Sequence, residues 1–291
     1  MQPDVQVFFD RATSTASYLV SDPATKVSAI IDPVLDFEPK AARLSTASAD
    51  LILAAVADRG LDLKYVLETH AHADHLSAAD YIRRRTGAEI AIGAHIVEVQ
   101  KTFIPVFEAD EVADDGGVFD HLLNEGDELP LGDMTIGVIH TPGHTPADLT
   151  YLIGDTAFVG DTLFMPDYGT ARADFPGGDA RILYRSIQKV LALPPQTRLF
   201  VGHDYLPAGR DTFSWETTVA EQQERNIHVR EGVSEDDFVA MREARDATLA
   251  APTLILPSLQ VNIRGGAMPD ASQSGRVFLK IPITHGDKPE S

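Results

Sequence analysis

The sequence predicts an α/β layered domain with its functional site along one edge of the sheets. Three observations carry this. Apolar, β-branched runs alternate with segments of helical composition. Polar clusters recur where those runs end. Four of the clusters carry histidine or aspartate. The 291 residues are 44% hydrophobic, enough for a substantial core. Neither a repeat nor an interdomain linker is evident. Residues 1–291 therefore read as one domain, with a helical and strand extension from about residue 214.

Taken in order, "VQVFF", "ASYLVSD" and "KVSAIIDPV" read as strands separated by the turns "RATST" and "DPAT". "EPKAARLSTASADLILAAVADRG" has helical composition, with Gly60 as its stop. "LKYVLETH" is a strand that ends where a run of histidines begins. "LSAADYIRRRTG" is a short helix stopped by Gly87, and "AEIAIGAH" is another strand. Residues 98–120, acidic and glycine-containing, read as an excursion. "DELPLGDMTIGVIHTPGH" reads as two strands around the turn Leu131-Gly132-Asp133, and "DLTYLIGDTAFVGDTLF" as two more joined at Gly154-Asp155. "DARILYRSIQKVLALP" is amphipathic, with Ile182, Leu183, Ile187, Val190 and Leu191 on one side of a helix. "TRLFVGHDY" is a buried strand. Residues 214–250 are charged and mostly helical, and the tail from "PTLIL" mixes a proline-rich connection with late strands.

Composition excludes several functions. Cysteine is absent, so neither a disulfide framework nor a thiolate metal site exists. With 24 basic and 44 acidic residues the formal charge is −20, which argues against a nucleic-acid partner, since such binding relies on basic surface. No apolar run is long enough for a membrane span, and the N-terminal residues lack a signal-peptide pattern, so a cytoplasmic location is expected.

The chemistry concentrates at four strand ends. His70, His72, Asp74 and His75 occupy one strand-to-helix turn. His140 and His144 flank "TPG". Asp161 follows "AFVG" and His203 follows "LFVG". Imidazole and carboxylate are the ligands a divalent metal prefers, and a strand end lets a side chain leave the core for a shared edge. Any one cluster alone would be an ordinary surface turn; the four together point to a metal site. His95, His121, His228 and His285 lack this context and read as ordinary histidines.

"THAHADH" resembles the T-H-x-H-x-D-H signature of the metallo-β-lactamase-fold superfamily, and "HTPGH", "GDTLF" and "GHDY" resemble its later motifs in the expected order. The match spans at least residues 5–210. It implies an αββα sandwich with the metal at one edge of two packed sheets. The spacing of "HTPGHTPADLTYLIGD", "GDTLF", "GTARADF" and "GHDY" further resembles persulfide dioxygenases, the ethylmalonic-encephalopathy-protein-like enzymes and their bacterial β-lactamase-like relatives. That resemblance implies one Fe(II) held by His70, His144 and Asp161, with His72, Asp74, His75 and His203 around it, and oxidation of glutathione persulfide by O₂ to glutathione and sulfite. A homodimer is the assembly such relatives suggest. The alternative within the superfamily is a two-zinc hydrolase of glyoxalase II type. One metal would then take His70, His72 and His144, the other Asp74, His75 and His203, with Asp161 bridging.

Arg172, in "GTARADF", matches an arginine of the family's substrate-facing segment. The resemblance implies that it binds a glutathione carboxylate; a structural pairing with Asp174 or Asp179 is the other reading. Tyr205 reads either as a hydrogen-bond donor to substrate or as a packed core tyrosine. The chain departs from the mitochondrial type, which has G-C-G-R where this chain has Gly169-Thr170-Ala171-Arg172, so a cysteine-dependent step is excluded.

Overall fold

Strand side chains point alternately to the two faces of a sheet, and here several strands are apolar on both. That requires cover on each face. The computed structural model, which describes residues 2–283, shows how it is supplied. In the first half the chain forms β1 (Asp4–Asp10), β2 (Thr15–Ser21), β3 (Val27–Ile31), β4 (Val34–Glu38), β5 (Arg43–Ser45), α1 (Ala47–Arg59), β6 (Asp62–Leu67), β7 (Leu76–Ser77), α2 (Ala79–Thr86), β8 (Glu89–Gly93), α3 (Ile96–Phe107) and β9 (His121–Leu123). It continues with β10 (Glu128–Leu131), β11 (Met134–His140), β12 (Leu149–Ile153), β13 (Thr156–Phe158), α4 (Ala180–Leu191), β14 (Arg198–Phe200), β15 (Glu216–Thr218), α5 (Val219–Arg225), α6 (Glu235–Asp246) and α7 (Ile255–Asn262).

One six-stranded sheet runs β1-β2-β3-β6-β8-β9 and a second runs β10-β11-β12-β13-β14-β15; β5-β4-β7 form a small third sheet. The alternation assigns the layers. Tyr18, Val20, Ile31 and Leu67 point inward and meet Ile136, Val138, Tyr151, Phe158 and Phe200 of the second sheet. Leu19, Ile30 and Val66 point outward, where Ile52 of α1, Ile82 of α2, Phe103 of α3 and Leu259 of α7 cover them. On the far side, Leu183, Ile187 and Val190 of α4 and Phe238 of α6 cover Ala157 and Leu199. The result is the αββα sandwich. Among the described residues no helix is long and apolar enough to cross a membrane.

Four expectations need correction. Residues 34–45 are a hairpin, β4 with β5, and only 47–59 are helical, ending at Gly60. Residues 96–107, read largely as an excursion, form α3 with Pro105 in its last turn. Among the described residues the tail forms α7 and no strand. Ile182 is 42% exposed on α4, whereas Leu183, Ile187, Val190 and Leu191 are buried. His285 lies outside the described residues.

Candidate metal centre

The histidine-rich turn leaves β6 at one sheet edge, while His144, Asp161 and His203 follow β11, β13 and β14 of the other sheet. β13 and β14 are parallel, and two antiparallel steps relate β11 to β13, so these three strands end at the same edge. Each loop is pinned. Asp32, at the end of β3, accepts from the Thr69 N–H at 2.7 Å and the Thr69 hydroxyl at 2.8 Å. Asn262 of α7 donates to the carbonyls of His72 (2.8 Å) and His75 (2.9 Å) and accepts from the Ser77 N–H. Asp148 caps the "HTPGH" turn through the Thr145 N–H and hydroxyl. Gly143 in that turn has φ +135°, and a Cβ there would lie 2.3 Å from the Leu183 nitrogen, so only glycine lets the turn pack on α4.

The potential ligand atoms fall into groups, each within 4.8 Å. His70, His144 and Asp161 form one; His72, Asp74, His75 and His203 form another. All seven predicted residues are therefore brought together. Asp161 links the groups, with one oxygen 3.6 Å from His144 Nε2 and the other 3.3 Å from His203 Nε2. His203 Nε2 also lies 3.3 Å from Asp74. His140 is not in either group: its Nε2 faces the Pro146 carbonyl at 3.0 Å and its ring stacks on His95.

Second contacts orient the rings. His144 Nδ1–H donates to the Arg172 carbonyl at 2.8 Å, leaving Nε2 as an acceptor. His70 Nδ1 is 3.0 Å from the Thr69 hydroxyl. His72 Nε2 lies 3.0 Å from Asp32 and 3.2 Å from Glu68, so its Nδ1 is the atom left for a metal.

The electrostatics set these groups apart. Burial, then neighbouring histidines, push His70 well below its ordinary value, toward the neutral form that ligates. Burial disfavours the charged form of His72, but Asp32 and Glu68 outweigh it and hold His72 well above its ordinary value. Burial would raise Asp74; the charges of His203 and His75 overcome this and hold it below the usual carboxylate range. The residues fit a metal on a further count. His70 Nε2, His72 Nδ1, Asp74 Oδ2, His75 Nε2, Asp161 Oδ1 and His203 Nε2 are buried and lack a hydrogen-bond partner. Buried polar atoms are costly unless paired, and a divalent cation would pair them.

A cavity of about 480 Å³ opens over Asp74, His144 and Asp161. Its apolar wall includes Phe164, Tyr168, Leu249 and Leu254. Tyr205 lines it, 40% exposed, with its ring stacked on His203 at 5.5 Å. Three arginines line it as well. Arg172 forks onto Asp174 (2.5 and 2.7 Å) and donates to the Ala250 carbonyl. Of the two structural partners the sequence offered, Asp174 takes Arg172 and Asp179 caps α4. Arg242 is buried against Asp246. Arg245 is exposed, and among the described residues it has no carboxylate within ion-pair distance.

The sequence model of the metallo-beta-lactamase superfamily matches residues 10–203. The chain belongs to this superfamily. A superfamily relative in Burkholderia pseudomallei, a probable metallo-hydrolase, is 56% identical over 96% of this chain and 98% of its own. Glyoxylase B2 of Dictyostelium discoideum is 43% identical, covering 97% of each chain. The human mitochondrial persulfide dioxygenase ETHE1 is 27% identical over 89% of this chain and 87% of its own. The crystal structure of ETHE1 from Myxococcus xanthus superimposes with a TM-score of 0.73 at 32% identity, covering 91% of this chain and 100% of that one. The chain spans 65% of the length of the beta-lactamase hydrolase-like proteins it also matches.

Beyond the superfamily motifs, sequence reasoning missed Asp32, Glu68, Asn262 and Arg245. Asp32 carried a usable signal: it is a carboxylate directly after an apolar strand, "SAIID", as Asp161 is. Asn262 and Arg245 stand on helices far along the chain and carried none.

Proposed function

We propose that the protein is an iron-dependent persulfide dioxygenase, which oxidises a thiol persulfide such as glutathione persulfide with O₂ and water to the thiol and sulfite. The observation that carries this reading is the group of His70, His144 and Asp161, a two-histidine, one-carboxylate set of the kind that suits non-haem iron. When bound, Fe(II) would supply the redox chemistry with O₂ that zinc lacks, with coordination positions left for substrate. The likeness to the ETHE1 proteins supports the same reading.

The chain's own residues do the rest. The Arg172 carbonyl and the Thr69 hydroxyl keep His144 and His70 turned toward the centre. His203 Nε2 lies 3.3 Å from both Asp161 and Asp74, beside the far oxygen of Asp161. The aromatic wall shields the sulfur from water. Arg172 has its fork filled by Asp174, so the substrate carboxylate falls to Arg245, whose donors are free among the described residues.

A second reading, a binuclear thioester hydrolase, is favoured by the other group: His72, Asp74, His75 and His203 also present unpartnered atoms. The Dictyostelium relative's name points the same way. One experiment separates the two. Protein loaded with Fe(II) without oxygen is assayed for metal per chain, O₂ uptake with glutathione persulfide, and hydrolysis of a glutathione thioester. One iron and O₂ uptake are expected. Asp74→Ala and His203→Ala should keep near-stoichiometric iron while losing activity, and Asp161→Ala should lose both. Two metals per chain with thioesterase turnover and no O₂ uptake would establish the second reading.

A further inference from the structure

Residues 165–178, between Asp161 and α4, contain no strand or helix. Their main chain is held from outside. Five buried polar side chains, all downstream of the superfamily match, reach back to residues 164–173. Gln222 Nε2 donates to the Phe164 carbonyl at 2.8 Å, and Asn226 Nδ2 to that of Gly169 at 3.0 Å. His228 Nδ1 accepts from the Thr170 N–H at 3.1 Å. Arg242 Nη1 donates to the Thr170 carbonyl at 3.3 Å, and Asp246 Oδ2 accepts from the Ala173 N–H at 2.8 Å. Asp246 in turn holds Arg242, through Nε at 2.9 Å and Nη2 at 2.6 Å.

A fully buried ion pair contributes little net stability, because desolvation of the charges offsets their attraction. This pair does have a geometric output. Thr170 and Ala173 bracket Arg172, whose carbonyl accepts the His144 Nδ1–H at 2.8 Å. We propose that Asp246, paired with Arg242, is a positioning residue for His144: it fixes the Arg172 carbonyl and so aims His144 Nε2 at the metal. The extension beyond residue 203 is then part of the metal centre without supplying a ligand. The proposal rests on His144 being a ligand, and it is independent of which reaction the metal serves.

The test titrates metal-free protein with Co(II) alone and follows its visible absorption. His144→Ala should weaken binding and change the spectrum. Asp246→Ala should weaken Co(II) binding by about 10–100-fold and shift the same bands, the usual cost of losing a partner that orients a ligand. Combined with His144→Ala, it should cost nothing further. If Asp246→Ala does not fold, Asp246→Asn is read in its place, with a smaller loss in the same direction. Unchanged affinity and spectrum in the folded Asp246 variant, or losses that add to those of His144→Ala, would overturn the proposal. Unchanged Co(II) binding in His144→Ala alone would instead remove the ligand assignment beneath it.

Discussion

Arg172 and Arg245 share one cavity wall; Asp174 takes the fork of Arg172, whereas among the described residues Arg245 has no carboxylate partner. A hydrogen bond to a charged group contributes about 1.5–3 kcal/mol, so Arg245→Ala should lower kcat/KM for glutathione persulfide by roughly 10–150-fold. The loss should fall mainly on KM, iron content should hold, and an uncharged alkyl persulfide should be nearly unaffected. Arg172→Ala should instead impair both substrates alike, because it loosens the wall at Asp174 and Ala250. Steady-state kinetics of both variants on both substrates decide this; equal losses for the two persulfides in Arg245→Ala would refute the assignment. At this scale the ligands were legible and their partners were not. A histidine after an apolar strand announces itself in the sequence. Arg172's neighbours depend on how a loop folds against α6, and two aspartates, Asp174 and Asp179, stood close by in sequence.

Among the elements, the α5–α6 connection carries a pH response. Burial, helped by Arg242 and Arg245, pushes His228 down to about 4, and its Nδ1 must stay unprotonated to accept from Thr170. The unfolded chain takes up this proton near the ordinary histidine value of 6.5, while the folded chain refuses it until about 4. Stability from this group is therefore full above pH 6.5 and is lost as pH falls toward 4. Asp148, pushed up to about 6 by burial, works with the opposite sign between pH 4 and 6. Denaturant unfolding from pH 7 to 4 should show a shallower decline in His228→Asn than in wild type, by up to one proton. Parallel declines would rule His228 out. The elements misread in the sequence have physical reasons. In α3 the buried set Ile96, Val99, Phe103 and Phe107 does follow helical spacing, but Pro105 masks it. In residues 38–45 helical composition yields to strand pairing, which sets Leu44 opposite Phe37.

For the whole molecule, the ligands come from both sheets: His70, His72, Asp74 and His75 after β6, the other three after β11, β13 and β14. A bound metal therefore joins the two halves of the sandwich and binds the native state alone. Metal at about 100 times its Kd adds roughly 2.7 kcal/mol. Chelation should lower Tm by several degrees, at about 2–4 °C for each kcal/mol, and re-addition should restore it. Calorimetry of metal-loaded and chelated protein checks this. An unchanged Tm would mean that no metal links the sheets.

The sequence by itself determined the layered α/β class, the strand ends that carry ligands, and the identity of all seven clustered residues. Those properties are local, because a period-2 apolar run and the polar residue just past it lie within a few positions. Only the tertiary structure brought the ligand atoms together, His70, His144 and Asp161 in one group and His72, Asp74, His75 and His203 in another, with Asp161 between them. It also decided that Asp174 occupies Arg172 while Arg245 has no carboxylate partner among the described residues, and that Asp246 and Asn262 reach back to the metal loops. The contacts of Asp246 and Asn262 join residues about 70 and 190 positions apart in the chain. No periodicity encodes such a pairing, which packing of the helices against the two sheets alone brings about.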